Sequence, residues 1–335
     1  MTFTDQRKRP SPAGMREPPS GRHHASESQY LTGMSMLASS DAAQRLGQAV
    51  DLIGSAAAAG HAEAVARRAV FECAGVGCPV DWGRALDSLV SAAELGSRAA
   101  ARQLILLAED RFELNATIDE SPGAWRETRS RISIDERLRV PTAHGRIVSI
   151  DPFVRAISAM ATASECQWLI ASAAPCLERA TLHDKGVGTA RTNQYAVLNL
   201  VRTDVVAEMI RARIANEIGA PLPCLEVSQV LRYQVGEEFL LHCDFLDPQR
   251  HRDQIARFGQ RSATFLIYLN EDYDGGETSF PTLGINHRGQ TGDAVVFGNL
   301  GRNGLPDPRT QHAGRPPTRG EKWVFSQWVR DRYPA

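Results

Sequence analysis

The sequence predicts an α+β protein in which a small helical region precedes a β-rich sandwich or barrel with supporting helices. Three observations predict it. Residues 42–108 are rich in Ala, Leu and Arg, contain one proline, Pro79, and carry apolar residues at helical spacing. Past Pro223 the texture changes to short β-rich runs separated by Gly, Asp, Asn and Pro. Between them lie two amphipathic stretches, each the length of one helix.

Composition bounds the class. A chain of 335 residues with 42% hydrophobic content can bury a sizeable core, and its length fits two modest domains. Its 38 basic and 39 acidic residues nearly cancel, so no global field draws it to nucleic acid or to an anionic membrane. No run of 18 apolar residues occurs and the amino terminus lacks the apolar segment of a secretory signal, so a cytoplasmic location with no membrane partner is expected. Six cysteines (Cys73, Cys78, Cys166, Cys176, Cys224, Cys243) without a Cys-x-x-Cys pair read as reduced thiols. Nothing in the sequence speaks to oligomeric state.

Taken in order, residues 1–40 combine Pro, Ser, Gly and charge with few large apolar side chains, and are expected to be a disordered tail. His23 and His24, adjacent in that tail, read as solvated. Residues 41–108 contain an internal similarity: "SAAAAGHAEAVARRA" (55–69) and "SAAELGSRAAARQLI" (91–105) share Ser-Ala-Ala and align Gly60 with Gly96 at an offset of 36. That is the size of a helix–turn–helix unit. With "GVGCPVDWGRALDSLVSAAELG" it resembles the tetratricopeptide-like repeats of the Sel type; the competing reading is an Ala-rich bundle with chance similarity. Residues 109–145 read as a connector with one or two strands.

The first supporting helix is "SECQWLIASAAPCLERA", with Ser164 as the expected N-cap and an apolar face of Cys166, Leu169, Ile170 and Ala173. The second is "DVVAEMIRARIANEIG", with Val206, Ile210, Ile214 and Ile218 four apart and Gly219 at its stop. Both are expected to pack on the outer surface of the β structure. Its strands are "LEVSQVLRY", "EFLLHCDF", "SATFLIYLN", "GGETSFP", "DAVVFGN" and "KWVFSQWV".

In "EFLLHCDF", strand alternation puts Leu240, His242 and Asp244 on one face and Cys243 on the other, so imidazole and carboxylate can converge on one ion. Chance alone would produce about half of one His-x-Asp in such a composition. A third ligand is needed. His312 lies in "RTQHAGRPP" before the last strand, and two histidines with one carboxylate suit the facial triad of non-haem Fe(II) oxygenases, or zinc. Lys322, ten residues later, separates the two. Alternation places it on one face with Val324, Ser326 and Trp328, where a lone cation needs an anionic partner such as the far end of a metal-chelating dicarboxylate.

The run from "RYQVGEEFLLHCDF" through "RSATFLIYLNEDYDGGETSFP" and "GDAVVFGN" to "HAGRPPTRGEKWVFSQWV" resembles the prolyl 4-hydroxylase branch of the Fe(II)/2-oxoglutarate dioxygenases. "SECQWLI" and "RTNQYAVL" extend the resemblance to about residues 146–332, giving an oxygenase domain over 146–335 with its core at 224–332. It implies a double-stranded β-helix, a jelly-roll or cupin-like barrel. It also implies that His242, Asp244 and His312 bind Fe(2+) and act in catalysis, and that Lys322 binds the distal carboxylate of 2-oxoglutarate. Tyr233 and Tyr268 match family tyrosines lining the cosubstrate pocket, and Thr278 in "DGGET" lies where it can touch the cosubstrate. Each is also readable as a core or turn residue with a satisfied hydroxyl. Asn299 and Gly320 match positions that shape loops, while His183, His251 and His287 lack ligand spacing and read as solvated or structural.

The implied reaction uses 2-oxoglutarate and O2, releases succinate and CO2, hydroxylates a C–H bond and takes ascorbate as reductant. A peptidyl proline is the first expectation for substrate, with a protein partner engaged by the helical repeats. A free amino acid or other small molecule is the alternative. A catalytically inactive repeat scaffold is a reading of another class, and a zinc hydrolase a third.

Overall fold

The structure, a computed structural model, describes residues 20–113, 123–139, 145–179 and 191–333. Five helices come first: α1 (Ser20–Ala38), α2 (Ala42–Ala58), α3 (Ala62–Ala74), α4 (Trp82–Glu94) and α5 (Arg98–Glu109), each packed on the next. The 36-residue offset is visible in the backbone. Gly60 and Gly96 turn the chain at equivalent places with φ of 84° and 96°, a conformation that favours glycine. The residue after each, His61 and Ser97, caps α3 and α5 by accepting from the amides of Ala64 and Ala100.

Over Ser20–Ala38, helix α1 corrects the disordered tail expected for 1–40. Ser26, Met36 and Leu37 are buried, and Tyr30 stacks on His61 at 4.6 Å between ring centroids. At Gly33 a Cβ would come within 2.7 Å of Ile53 Cγ1. The contact is made by small residues that let two helices approach closely, which a count of large apolar side chains does not register. His24 is exposed, as a solvated side chain should be, and residues 1–19 lie outside the described residues.

The connector is helical where described: α6 (Ala124–Ser130) and α7 (Ile134–Leu138) replace the expected strands, and Trp125 and Ile132 join the core of the helical array. The remainder comprises β1 (Gly145–Ile150), β2 (Phe153–Ile157), α8 (Ala163–Ala173), β3 (Glu178–Arg179), β4 (Gln194–Leu198), α9 (Val205–Ile218), β5 (Ser228–Tyr233), β6 (Phe239–His242), α10 (Arg252–Phe258), β7 (Arg261–Tyr268), β8 (Asp274–Gly275), β9 (Thr278–Phe280), β10 (Ile285–His287), β11 (Ala294–Gly298), β12 (His312–Gly314), β13 (Pro317–Arg319) and β14 (Lys322–Arg330). His183 lies outside the described residues.

Eight strands form one antiparallel sheet in the order β1-β2-β11-β7-β14-β5-β4-β3, and four form a second in the order β10-β9-β12-β6. Non-consecutive neighbours in two sheets are the topology of the expected double-stranded β-helix. A small β8–β13 pair stands apart from both.

The N-cap of α8 is Thr162, not Ser164. Thr162 and Glu165 form a reciprocal capping box, while the Ser164 hydroxyl donates to the Asp110 carbonyl at 2.6 Å. Cys166, Leu169 and Ala173 are buried as expected, with Ile170 partly so. Helix α9 stops at Gly219 with φ 64°. It is buried on two sides: Ala207, Ile210 and Ile214 pack on the large sheet with Val230, Phe265, Ile267 and Phe325, whereas Val205, Val206 and Met209 belong to the core of the array. Between these faces Arg213 pairs with Glu165, both buried. The molecule is thus layered as helical array, α8 and α9, large sheet, small sheet. A third core, with Leu231, Tyr233, Tyr268, Phe280, Phe297 and Val324, fills the space between the sheets.

Candidate active site

The inner face of the large sheet follows from alternation. On β14, Trp323, Phe325 and Val329 face the helices, while Lys322, Val324, Ser326 and Trp328 line a cavity between the sheets. Register adds the neighbours: Lys322 opposes Tyr233 and Ser326 opposes Gln229 on β5, and Val324 opposes Tyr268 on β7. The small sheet closes the cavity with His242, Thr278, His312 and Gly314. Gly314 is there for proximity, since a Cβ would sit 3.2 Å from the Tyr233 hydroxyl.

His242 and His312 are paired residues of β6 and β12, with ring centroids 4.3 Å apart. Strand β6 ends at His242, so Asp244 lies in the bend beyond it; the strand end, not alternation alone, carries its carboxylate inward. Asp244 Oδ1 is 3.6 Å from His242 Nε2, and Oδ2 is 3.5 Å from His312 Nε2. One ligand atom from each of the three lies within 4.8 Å of the others. Cys243 does not line the cavity, as expected.

The donor set fits a divalent metal. His242 Nδ1 lies 2.7 Å from the Leu240 carbonyl and His312 Nδ1 lies 3.1 Å from that of Thr310. A carbonyl can only accept, so each Nδ1 carries the proton and each Nε2 lone pair is free to ligate. Burial and then the neighbouring His242 hold His312 down to about 4, so it is neutral at pH 7 and its contact with Asp244 is one of ligands, not an ion pair. Burial alone would raise the Asp244 carboxyl, yet in the acid range where it titrates the imidazoles of His312 and His242 are protonated, and with Arg261 they hold it well below the usual range. Thr264 donates to Asp244 Oδ2 at 2.7 Å and Asn299 Nδ2 donates to Thr264 at 2.9 Å, all three buried.

At the far end, Lys322 is 2% exposed, and no carboxylate among the described residues pairs with it. Its ammonium lies 5.1 Å from the centroid of Tyr233 and 5.6 Å from that of Tyr268. Burial pulls it down to about 7, with Glu277 opposing. Tyr268 and Thr278 share a hydrogen bond of 2.8 Å, and the Tyr268 hydroxyl reaches the His287 carbonyl at 3.3 Å. Burial pushes Tyr233 up to about 12. The cavity therefore gathers all seven candidate residues: His242, Asp244, His312, Lys322, Tyr233 and Thr278 line it, and Tyr268 stands behind Thr278. His251 precedes α10, and His287 is held against Tyr268, both away from the triad.

Sequence reasoning put Trp328 on the face of Lys322 but missed Arg191, Gln229 and Phe239, which also line the cavity, and the Thr264–Asn299 relay. Arg191 lies over Phe239 at 4.3 Å, and Phe239 stacks on His242 at 3.5 Å.

Comparison with known proteins gives the family. The profile of the 2OG-Fe(II) oxygenase superfamily matches residues 228–330. Prolyl 4-hydroxylase 1 of Arabidopsis thaliana is 33% identical over 216 residues, 59% of this chain and 75% of the relative. Prolyl 4-hydroxylase 13 of the same plant is 32% identical over 209 residues, 56% of this chain and 74% of the relative. A solved structure, the viral collagen prolyl hydroxylase of Paramecium Bursaria Chlorella virus-1 with 2OG, aligns with a TM-score of 0.43 and 27% identity over 53% of this chain and 95% of that one. A buried two-histidine, one-carboxylate triad facing a buried lysine, in a chain with these relatives, belongs to the prolyl 4-hydroxylase branch of the 2OG-Fe(II) oxygenases.

Proposed function

We propose that the protein hydroxylates a prolyl residue within a peptide or protein. One observation carries the reading: a triad able to hold a metal and a buried lysine with no acidic partner among the described residues share a single cavity, in a chain whose relatives are prolyl 4-hydroxylases. Bound iron supplies the activation of O2 that couples 2-oxoglutarate decarboxylation to hydroxylation of a C–H bond. His242, Asp244 and His312 would hold the ion, and Lys322 lies in the same cavity to receive a ligand of that ion. Lys322 receives the distal carboxylate of 2-oxoglutarate, and Tyr233 keeps its proton at neutral pH and can donate to the same group. Thr278, braced by Tyr268, completes that wall, and Val324 and Leu231 exclude water beside it.

Ascorbate is the proposed reductant and the cytoplasm the proposed location. The helix pairs α2–α3 and α4–α5 are proposed to be Sel-type repeats that recruit the protein substrate. Because α3 and α5 turn one side to α9, recruitment is assigned to the remaining faces of the array. Incubating the enzyme with Fe(II), 2-oxoglutarate and either a proline-rich peptide or free proline tests the reading through succinate release and a mass gain of one oxygen. Turnover of free proline with an inert peptide overturns it, as does iron-dependent turnover that survives His312→Ala.

A further inference from the structure

A second cavity lies where the helical array meets α8 and the loop before α9, and the reaction described above makes no use of it. It holds about 320 Å3, at the lower end of the range of small-molecule sites, and shares no lining residue with the cavity of the triad. The array lines it with Tyr30 of α1, Arg67 of α3 and Arg102 of α5. Trp168 of α8 and Arg202 and Asp204 of the loop close the other side.

Its charge is unbalanced. Three arginines stand against two acids, Glu63 and Asp204, which leaves one positive charge in excess among the described lining residues. Asp204 is already committed: it caps α9 by accepting from the Ala207 amide at 2.9 Å and takes the Trp168 indole N–H at 2.8 Å. Arg67 pairs with no carboxylate among the described residues. Its terminal nitrogens donate to the carbonyls of Leu200, Val201 and Thr203, and its Nε is buried with no hydrogen-bond partner among those residues. Carbonyl dipoles solvate a cation without neutralising it, and burial pulls the Arg67 guanidinium below its usual pKa. A buried cation with a donor unspent is stabilised by an anion brought to it from outside. Arg202, on the facing side, is held only weakly, by an exposed contact with Glu178 at 3.6 Å.

The uncharged walls are aromatic. Phe112 also lines the cleft and meets Trp168 edge to face at 5.6 Å, while Tyr30 is fixed by its stacking on His61. Because the Trp168 N–H is spent on Asp204, its ring offers the cleft apolar surface alone. Aromatic side chains on both sides suit a flat apolar group, and the planar guanidiniums suit a carboxylate.

We infer that this cleft binds a flat, apolar organic carboxylate, at a site separate from the one that takes 2-oxoglutarate. The ligand touches the array at Arg67 and Tyr30 and the other half at Trp168 and Arg202, so its binding tightens the seam between them.

The test titrates 2-naphthoate, a flat carboxylate of this kind, into the full chain loaded with Fe(II) and saturated with 2-oxoglutarate under nitrogen, so that the active-site cavity is already filled. Binding heat and the thermal midpoint are read in wild type, Ala99→Trp and Arg202→Gln. Ala99 is an exposed residue lining the cleft, so tryptophan there fills the space, and both replacements leave the Arg67 brace intact. We expect one site per chain and a midpoint that rises with naphthoate. Affinity should fall about tenfold in Arg202→Gln, the loss of one charge-assisted contact, and further in Ala99→Trp. 2-Naphthol, flat but neutral, and inorganic phosphate, charged but not flat, should each bind at least about tenfold more weakly than naphthoate. No saturable binding of naphthoate to wild type overturns the site, as does equal binding to Ala99→Trp, which would put the ligand elsewhere on the molecule. Naphthol or phosphate bound as tightly as naphthoate overturns the ligand class, and naphthoate that displaces 2-oxoglutarate overturns the separation of the two sites.

Discussion

His242 and His312 face each other across the β6–β12 pairing, and each aims Nδ1 at the carbonyl two residues before it, Leu240 in one case and Thr310 in the other. Two strands thus apply one local device to fix both imidazole tautomers with Nε2 toward Asp244. Removing any of the three ligands leaves a pair too weak for a stable ion. His242→Ala, Asp244→Ala and His312→Ala are expected to abolish 2-oxoglutarate turnover and to purify without stoichiometric iron. Succinate release and metal content check this.

Thr264 orients the carboxylate, since its hydroxyl donates to Asp244 Oδ2 and is itself fixed by Asn299. Thr264→Val keeps the shape and removes the donor, and is expected to weaken iron binding by about 10- to 100-fold. Thr264→Ser should restore most of it. Titration with Fe(II), followed beside the thermal midpoint, separates lost orientation from lost folding.

Lys322→Ala removes the partner of the distal carboxylate and is expected to raise the 2-oxoglutarate requirement more than tenfold, consistent with about 2 to 5 kcal/mol for truncating one side of a buried charge pair. The lysine also sets a pH dependence. Burial lowers it from 10.5 to about 7 in the free protein, and a bound carboxylate raises it again, so binding takes up a proton. Affinity for 2-oxoglutarate should be highest below about pH 7 and fall, by up to about tenfold per unit, as the pH rises above it. Lys322→Met should flatten that slope in an isothermal titration series.

Folding carries the opposite sign. A lysine whose folded pKa lies below its unfolded value opposes folding below about pH 7, and that penalty is relieved as the pH climbs toward 10.5. Without cosubstrate, Lys322→Met should therefore be more stable than wild type at pH 6, with the gap closing by about pH 10. Denaturant midpoints across that range check the prediction.

Arg67 on α3 donates to the carbonyls of Leu200, Val201 and Thr203 at 2.8 to 2.9 Å, bracing the loop that leads into α9. Arg67→Ala leaves these acceptors without their partner and is expected to cost about 2 to 4 kcal/mol. Calorimetry should show one cooperative transition at a lower temperature, not two separate ones.

What the sequence made legible had a chemical signature on single residues. His242, Asp244, His312 and Lys322 are rare residue types at informative spacing, and alternation placed Lys322 with Val324, Ser326 and Trp328 correctly. Gln229, Thr264 and Arg191 were illegible because they are ordinary residues whose role comes from register: Gln229 matters through its pairing with Ser326, and Thr264 through the bend that brings Asp244 to it. Helix α1 was missed because its contact with α2 depends on Gly33 and other small side chains. Thr162 was passed over as a cap because Ser164 carries the same chemistry two residues on, and only the reciprocal bond with Glu165 separates them.

The double burial of α9 limits how this protein can be taken apart. Val205, Val206 and Met209 are sealed by the helical array, and Ala207, Ile210 and Ile214 by the large sheet, whose other face carries Lys322. A catalytic half excised at residue 145 would bear an uncovered apolar stripe, so the oxygenase of this chain cannot be transplanted as a cassette. Gene fusion or domain exchange would have to carry the array along, or repaint that stripe of α9 with polar side chains.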